Sequence, residues 1–282
     1  MRNYAAWIIR EKNEIITGYS YFKEGYDLMK KLINWKLFFI LLIICVITSL
    51  LVIPYSLELT SNKIEITPKI LLLTALQNLV LFAIVIFLGL FLSKRIGMGL
   101  PILQGVLDGK NQTKELRSIL IPSISLGIIA GTLVVLINIP FNKFIPESIN
   151  LKTPVTIWKA FLASFYGGIA EEILSRLFLV SLFVWIIFKI KKDKDGNPTV
   201  FGIWFSIILA AIFFGLGHLP VTAQTTKLTG IIIIQSIVLN GILGITFGWL
   251  YWKKGLESAI IAHFSADIVL HIITPLVGSF IL

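Results

Sequence analysis

Leu37–Leu57 reads LFFILLIICVITSLLVIPYSL, twenty-one residues between Lys36 and Glu58 without a single charge. At 1.5 Å of rise per residue, such a run crosses the roughly 30 Å of a bilayer's hydrocarbon as a helix. Three more charge-free runs follow at Ile70–Ser93, Ser118–Asn142 and Leu228–Trp252, each bounded on both sides by Lys or Arg. A soluble fold of 282 residues has no way to hide four such runs. Composition agrees: 56% of the chain is hydrophobic and 14% charged, against about 25% charged in an ordinary soluble domain. The mean hydropathy is +0.90. A soluble globular enzyme, a disordered chain and a disulfide scaffold are excluded. The lone Cys45 lies inside the first run and excludes an intrachain disulfide and a cysteine-based metal site.

Three further spans carry polar groups. Ala160–Ala170 and Leu177–Phe188 are each too short to span, and Glu171, Glu172 and Arg176 separate them with no turn signal between. Ile157–Lys189 is therefore expected to be one long helix with charges inside it. Thr199–Gly217 ends at His218, and Ser258 to about Thr274 carries His263, Asp267 and His271. The expected fold is an all-α polytopic transmembrane bundle of about seven spans. Residues 1–36 mix charges with Tyr4, Trp7, Tyr19, Tyr21, Phe22, Tyr26 and Trp35, which suits an N-terminal interfacial helix. No cleavable signal precedes Leu37, so the first span is expected to stay in the mature protein. The organisation read from this is a cytoplasmic or interfacial segment 1–36, three accessory helices in 37–142, and a core of four helices in 157–282.

The net charge of +10 resembles a nucleic-acid signal, but the loops account for it. With the N-terminus in the cytoplasm, eighteen of the 25 Lys and Arg fall on inside segments and six outside, with Arg176 in the membrane. That is a positive-inside bias, and no nucleic-acid partner is needed.

The charges within the spans are the functional signal. Each costs about 2.5–3.5 kcal/mol at mid-bilayer, so Glu171, Glu172 and Arg176 cost roughly 8–10 kcal/mol unless they face protein or a watery cavity. Glu172 and Arg176 stand at i, i+4 and can pair along one face. Glu171 lies about 100° around the helix and is not used up by that pair. The bland reading is a buried ion pair that orients helices. The sharper one makes Glu171 a general base or acid. Gly167 and Gly168, one turn earlier, leave room for a close approach. His218 sits between Phe213-Phe-Gly-Leu-Gly217 and Leu219-Pro220, where a helix ends or bends. As a lone histidine it suits an interfacial hydrogen-bonding group as well as a catalyst. His263 and Asp267 share a face at i, i+4, and Asp267 and His271 repeat the spacing. They are either interhelical glue or part of a site. Polar clusters on three spans are what membrane hydrolysis needs: one group to deprotonate water, and others to hold the oxyanion.

Glu171-Glu-Ile-Leu-Ser-Arg176 reads EExxxR, Phe214-Gly-Leu-Gly-His218 reads FxxxH, and His263-Phe-Ser-Ala-Asp267 reads HxxxD. In this order, each on its own span, they resemble the signature of the CPBP intramembrane proteases. This is the bacterial Abi family, related to the type II CAAX prenyl endopeptidases. The resemblance covers about Ile157 to Asp267. It implies an endopeptidase of the bacterial cytoplasmic membrane, acting on a membrane-associated, prenylated or otherwise lipidated peptide or protein. By the same resemblance Glu171 activates water with help from His218, His263 and Asp267 form the oxyanion site, and Glu172 and Arg176 support it. The family's third motif ends in Asn or Asp; Asp267 is the acidic form, which donates a hydrogen bond only when protonated. His271 lies outside the motif.

His218, His263, Asp267 and Glu171 are also adequate zinc ligands, and members of the family have been described as metalloproteases. There is no HExxH, and a carboxylate–histidine pair activates water unaided. The expectation is therefore no cofactor, with zinc as the alternative. Two other classes compete: a proton-coupled transporter, which would usually show an internal repeat, and a catalytically silent membrane scaffold. The protease reading requires Glu171 and His218 to come within about one water's reach, roughly 4–6 Å. Helix-rise arithmetic fits this poorly. Counted from the outer face, Glu171 is about 22 Å deep; counted from Thr199, His218 is about 28 Å from the cytoplasmic face.

Overall fold

The structure, a computed structural model, describes residues 33–59, 67–144 and 155–281. Among these, eight helices form, and seven are long and apolar enough to cross a membrane. They are α1 (Trp35–Leu59), α2 (Pro68–Arg95), α4 (Thr113–Phe141), α5 (Ile157–Ile190), α6 (Val200–Thr225), α7 (Gly230–Lys254) and α8 (Leu256–Val277). The short α3 (Pro101–Leu107) lies between α2 and α4. The described residues contain no strand, only an isolated bridge between Lys192 and Pro198 in the α5–α6 turn. The protein is an integral membrane protein of the all-α class expected. The interfacial helix expected at the N-terminus falls mostly outside the described residues.

Local sequence sets the helix starts. Asn34, Thr67, Thr199 and Thr229 each cap a helix by accepting a backbone N–H three residues on. Pro68 follows its cap, where its missing N–H costs nothing. The Thr67 cap begins α2 two residues earlier than the charge-free run, and the helix carries on through Lys94 and Arg95, two residues beyond its end. Pro54 has no N–H to offer Leu50, and α1 breaks at Val52 just before it. The turn between α7 and α8 needs a left-handed residue and has Gly255 there, at φ 95°.

Small residues set the packing, as expected where lipid supplies no hydrophobic drive between helices. Gly127 and Gly131 of α4 lie against the backbone of Ala262 and Ala266 on α8, so close that a β-carbon at Gly127 would stand 2.1 Å from the Ala262 carbonyl oxygen. A turn earlier, the Ser123 and Ser258 hydroxyls meet at 2.6 Å. Gly215, Gly244 and Gly248 bring α6 and α7 together through Ile237, Ala211 and Ile207. The first three spans are thus packed onto the last four in one body.

Ile157–Ile190 is one continuous helix of 34 residues, as the missing turn signal indicated. It is not α-helical throughout. Tyr166–Glu171 and Ile173–Val180 are π-helical, wound around the very residues that carry the charges. Such wide turns mark functional positions in helices.

Candidate active site

Glu172 and Arg176 are both fully buried, and they pair at 2.8 Å as their spacing suggested. The guanidinium is held from two other helices. It lies between the rings of Phe214 on α6 and Phe247 on α7, at 4.8 and 5.4 Å, and donates to the Gly244 carbonyl at 3.2 Å. Cation–π contact and a hydrogen bond replace what Arg176 loses on leaving water.

Glu172 has a second duty that spacing did not reveal. Its Oε1 lies 2.6 Å from Nδ1 of His263 on α8. A carboxylate only accepts, so Nδ1 carries the hydrogen and donates. The His263 ring also stacks on Phe247 at 4.7 Å and meets the edge of Phe214 at 5.9 Å. Fixed on three sides, His263 turns its Nε2 toward Glu171 and Asp267, 3.9 and 3.6 Å away.

His218 closes the cluster from α6. The main helix ends there, and the ring folds back so that Nδ1 donates to the Phe214 carbonyl at 2.8 Å. Its Nε2 lone pair then faces Glu171 Oε2 at 3.9 Å. Glu171 stands between the two histidine nitrogens, and its side chain keeps 23% of its exposure while Glu172 beside it keeps none. Asp267 is buried one turn after His263, its Oδ1 also 3.8 Å from Nε2 of His271. Gly167 makes room for it, since a β-carbon there would come within 2.3 Å of Asp267 Oδ2 and 3.2 Å of His263 Nε2.

Glu171 and His218 agree in depth when both are counted from the turn they share, whereas His263, seven residues past Leu256, lies closer to its own turn. Glu171 precedes Ile190 by nineteen residues and His218 follows Val200 by eighteen, so both lie about 27–28 Å from that turn. The error was to equate the length of α5 with the membrane's thickness; its 34 residues are more than a span needs.

Zinc would require several of these groups to meet on one ion. Among the described residues, no group of three or more His, Cys, Asp and Glu is placed to do so. The chemistry below uses the side chains alone. Glu171 Oε2 and His218 Nε2 are two acceptors facing one point, which suits them to draw protons from one water molecule.

The sequence of residues 153–269 matches the family described as Type II CAAX prenyl endopeptidase Rce1-like. This part of the chain is a CAAX endopeptidase domain of that family. The family is one of proteases, which indicates an enzyme over the transporter alternative. No curated protein and no solved structure matches the chain. The match contains all three motifs and stops short of His271. It also excludes α1, α2 and α4, although α1 reaches the cluster: the Tyr55 hydroxyl lies 3.1 Å from Nδ1 of His271. Sequence reasoning passed over Tyr55, and an uncharged residue near the end of an apolar span carried no signal that would have found it.

Proposed function

We propose that this CAAX endopeptidase domain hydrolyses a peptide bond of a membrane-associated, lipid-bearing peptide, with Glu171 as general base. The observation that carries the reading is Glu171 itself, a half-open carboxylate 3.9 Å from Nε2 of both His218 and His263. A water held by Glu171 Oε2 and His218 Nε2 gives a proton to Glu171 as its oxygen adds to the scissile carbonyl carbon. The carbonyl oxygen becomes an oxyanion, and one proton carried by the His263–Asp267 pair, on Nε2 or on the carboxyl, is donated to it in a hydrogen bond. Glu171 then passes its proton to the amide nitrogen, the C–N bond breaks, and a carboxylate and an amine leave. Glu172 and Arg176 act through position: they fix the tautomer and direction of His263.

The surroundings support an apolar substrate. A cavity of about 780 Å³ lies between the start of α5 and the end of α8, lined by Trp158, Phe161, Ile272, Pro275 and Leu276, with His271 on its wall. It suits a lipid tail whose peptide end reaches the cluster. A larger cavity of about 1350 Å³ lies at the other end of the bundle among Lys94, Trp252, Lys253 and Gly255, away from the motif residues.

The test is to reconstitute the full chain in lipid vesicles with a farnesylated peptide carrying a fluorophore and a quencher about its C-terminal bonds. Cleavage that disappears in Glu171→Gln supports the reading. Cleavage that persists in that variant removes Glu171 as the base, and an intact peptide with the wild-type protein removes the substrate class.

A further inference from the structure

The geometry points to Tyr55 and His271 as a positioning pair that presents a hydrogen-bond donor to Asp267, bringing α1 into the active site. Both residues lie outside the matched domain and outside its three motifs. The inference rests on the reading of Asp267 as part of the oxyanion site.

The argument begins with the hydroxyl of Tyr55, carried toward α8 by the part of α1 that follows its break at Val52. That hydroxyl lies 3.1 Å from His271 Nδ1, with the rings edge to face at 5.5 Å. His271 sits on a π-helical stretch, Val269–Ile273, whose extra width Thr274 secures by donating to the Val269 carbonyl at 2.8 Å. The other ring nitrogen, Nε2, faces Asp267 Oδ1 at 3.8 Å. A neutral imidazole has one donor and one acceptor nitrogen, and the partner of one decides the role of the other. When the phenol donates to Nδ1, the hydrogen resides on Nε2 and points at Asp267. The same logic runs in mirror image at His263, where Glu172 takes the hydrogen at Nδ1. Asp267 is thus flanked by two histidines whose outer nitrogens have been assigned opposite roles. At 3.8 Å the His271 donor faces Oδ1 without yet bonding it, and a small approach in the working site lets it keep the carboxyl directed toward the reacting oxygen.

Two measurements on the full chain test this. The protein has only three histidines, so nitrogen-15 labelling of histidine gives three pairs of ring signals. The His271 pair is identified by its loss in His271→Gln. His271 should carry its hydrogen on Nε2, and Tyr55→Phe should abolish that preference while leaving the His263 signals in place. A hydrogen on Nδ1 in the wild type, or a tautomer indifferent to Tyr55→Phe, overturns the inference without reference to activity.

The second measurement is kinetic. Tyr55→Phe should lower kcat about five- to tenfold with KM unchanged, the size of one hydrogen bond expressed as a rate. In an Asp267→Asn background the same change should cost less than twofold, because an amide brings its own donor. Equal losses in both backgrounds, or a loss confined to KM, make Tyr55 merely structural. A wild-type protein that cleaves nothing sinks the protease reading instead, and the tautomer measurement then still decides whether Tyr55 sets His271.

Discussion

Glu171 and Glu172 are neighbours in sequence, and replacing each by Gln should have opposite consequences. Glu172→Gln keeps the shape and removes one charge from a fully buried pair, leaving Arg176 between two aromatic rings with only neutral acceptors. Breaking a buried pair in this way costs about 3–5 kcal/mol. At roughly 2–4 °C per kcal/mol for a chain of this size class, Tm should fall by roughly 6–20 °C. The same substitution weakens the grip on His263 Nδ1, so the protein that remains folded should also cleave more slowly. Glu171→Gln removes the charge of a partly exposed group that faces His218 and His263 at 3.9 Å. Its loss breaks no close ion pair and relieves an open carboxylate in an apolar interior, so Tm should not fall. Activity is another matter: a general base contributes about 10²–10⁴-fold, and that factor should disappear. The assay is initial cleavage rate per folded molecule, with thermal unfolding followed on the same purified samples. Glu171→Gln that cleaves within threefold of wild type, or Glu172→Gln with an unchanged Tm, would refute this division between base and support.

Gly167→Ala should fold and lose most activity, because the added methyl meets only the tip of Asp267 and the edge of His263; near-normal kcat would show that Asp267 tolerates being turned away. Gly127→Leu should instead lower the yield of folded protein, since its side chain would push against the Ala262 backbone and part α4 from α8; wild-type yield and Tm would contradict the close packing. Dialysis against a chelator should leave cleavage intact, and activity restored stoichiometrically by zinc would show that the histidines rearrange around an ion. Cysteines introduced at Asp195 and Thr226 should label from opposite sides of a sealed vesicle with Asp195 on the cytoplasmic side, as the lysine-rich α5–α6 turn dictates; the buried native Cys45 gives no background.

The spans were legible because length and charge alone decide what crosses a bilayer; most ends moved by a few residues, but α4 starts five residues before Ser118 and α6 runs eight residues past Gly217 to Thr225. The Glu172–Arg176 pair was legible from a helical repeat. The second partner of Glu172 was not, because contact across ninety-one residues depends on how α5 and α8 cross, and no local spacing encodes that. Part of the crossing was nevertheless written in the chain. Gly127 with Gly131, and Gly244 with Gly248, have the four-residue spacing of close helix contacts, and both pairs lie at such contacts. The π-helical turns of α5 and α8 left no mark. They are a tertiary compromise, since an i→i+5 turn is rarely the preference of a local sequence.

A bundle that only needed an ion pair to orient its helices could stop at Glu172 and Arg176, which satisfy each other within one helix. This one spends three aromatic or histidine rings and the Gly244 carbonyl from neighbouring helices around that pair. The outcome is that His263 has no freedom at Nδ1 and a defined direction at Nε2. His218 is fixed in the same sense by a different acceptor, the Phe214 carbonyl. Two imidazoles, each anchored through Nδ1, therefore present Nε2 to one carboxylate that has been left partly open. In an apolar interior an open carboxylate is a cost that glue would avoid, because replacing Glu171 with an apolar residue would relieve it. A carboxylate kept in that position, with two preset nitrogens aimed at it, is what the addition of water to a buried carbonyl requires.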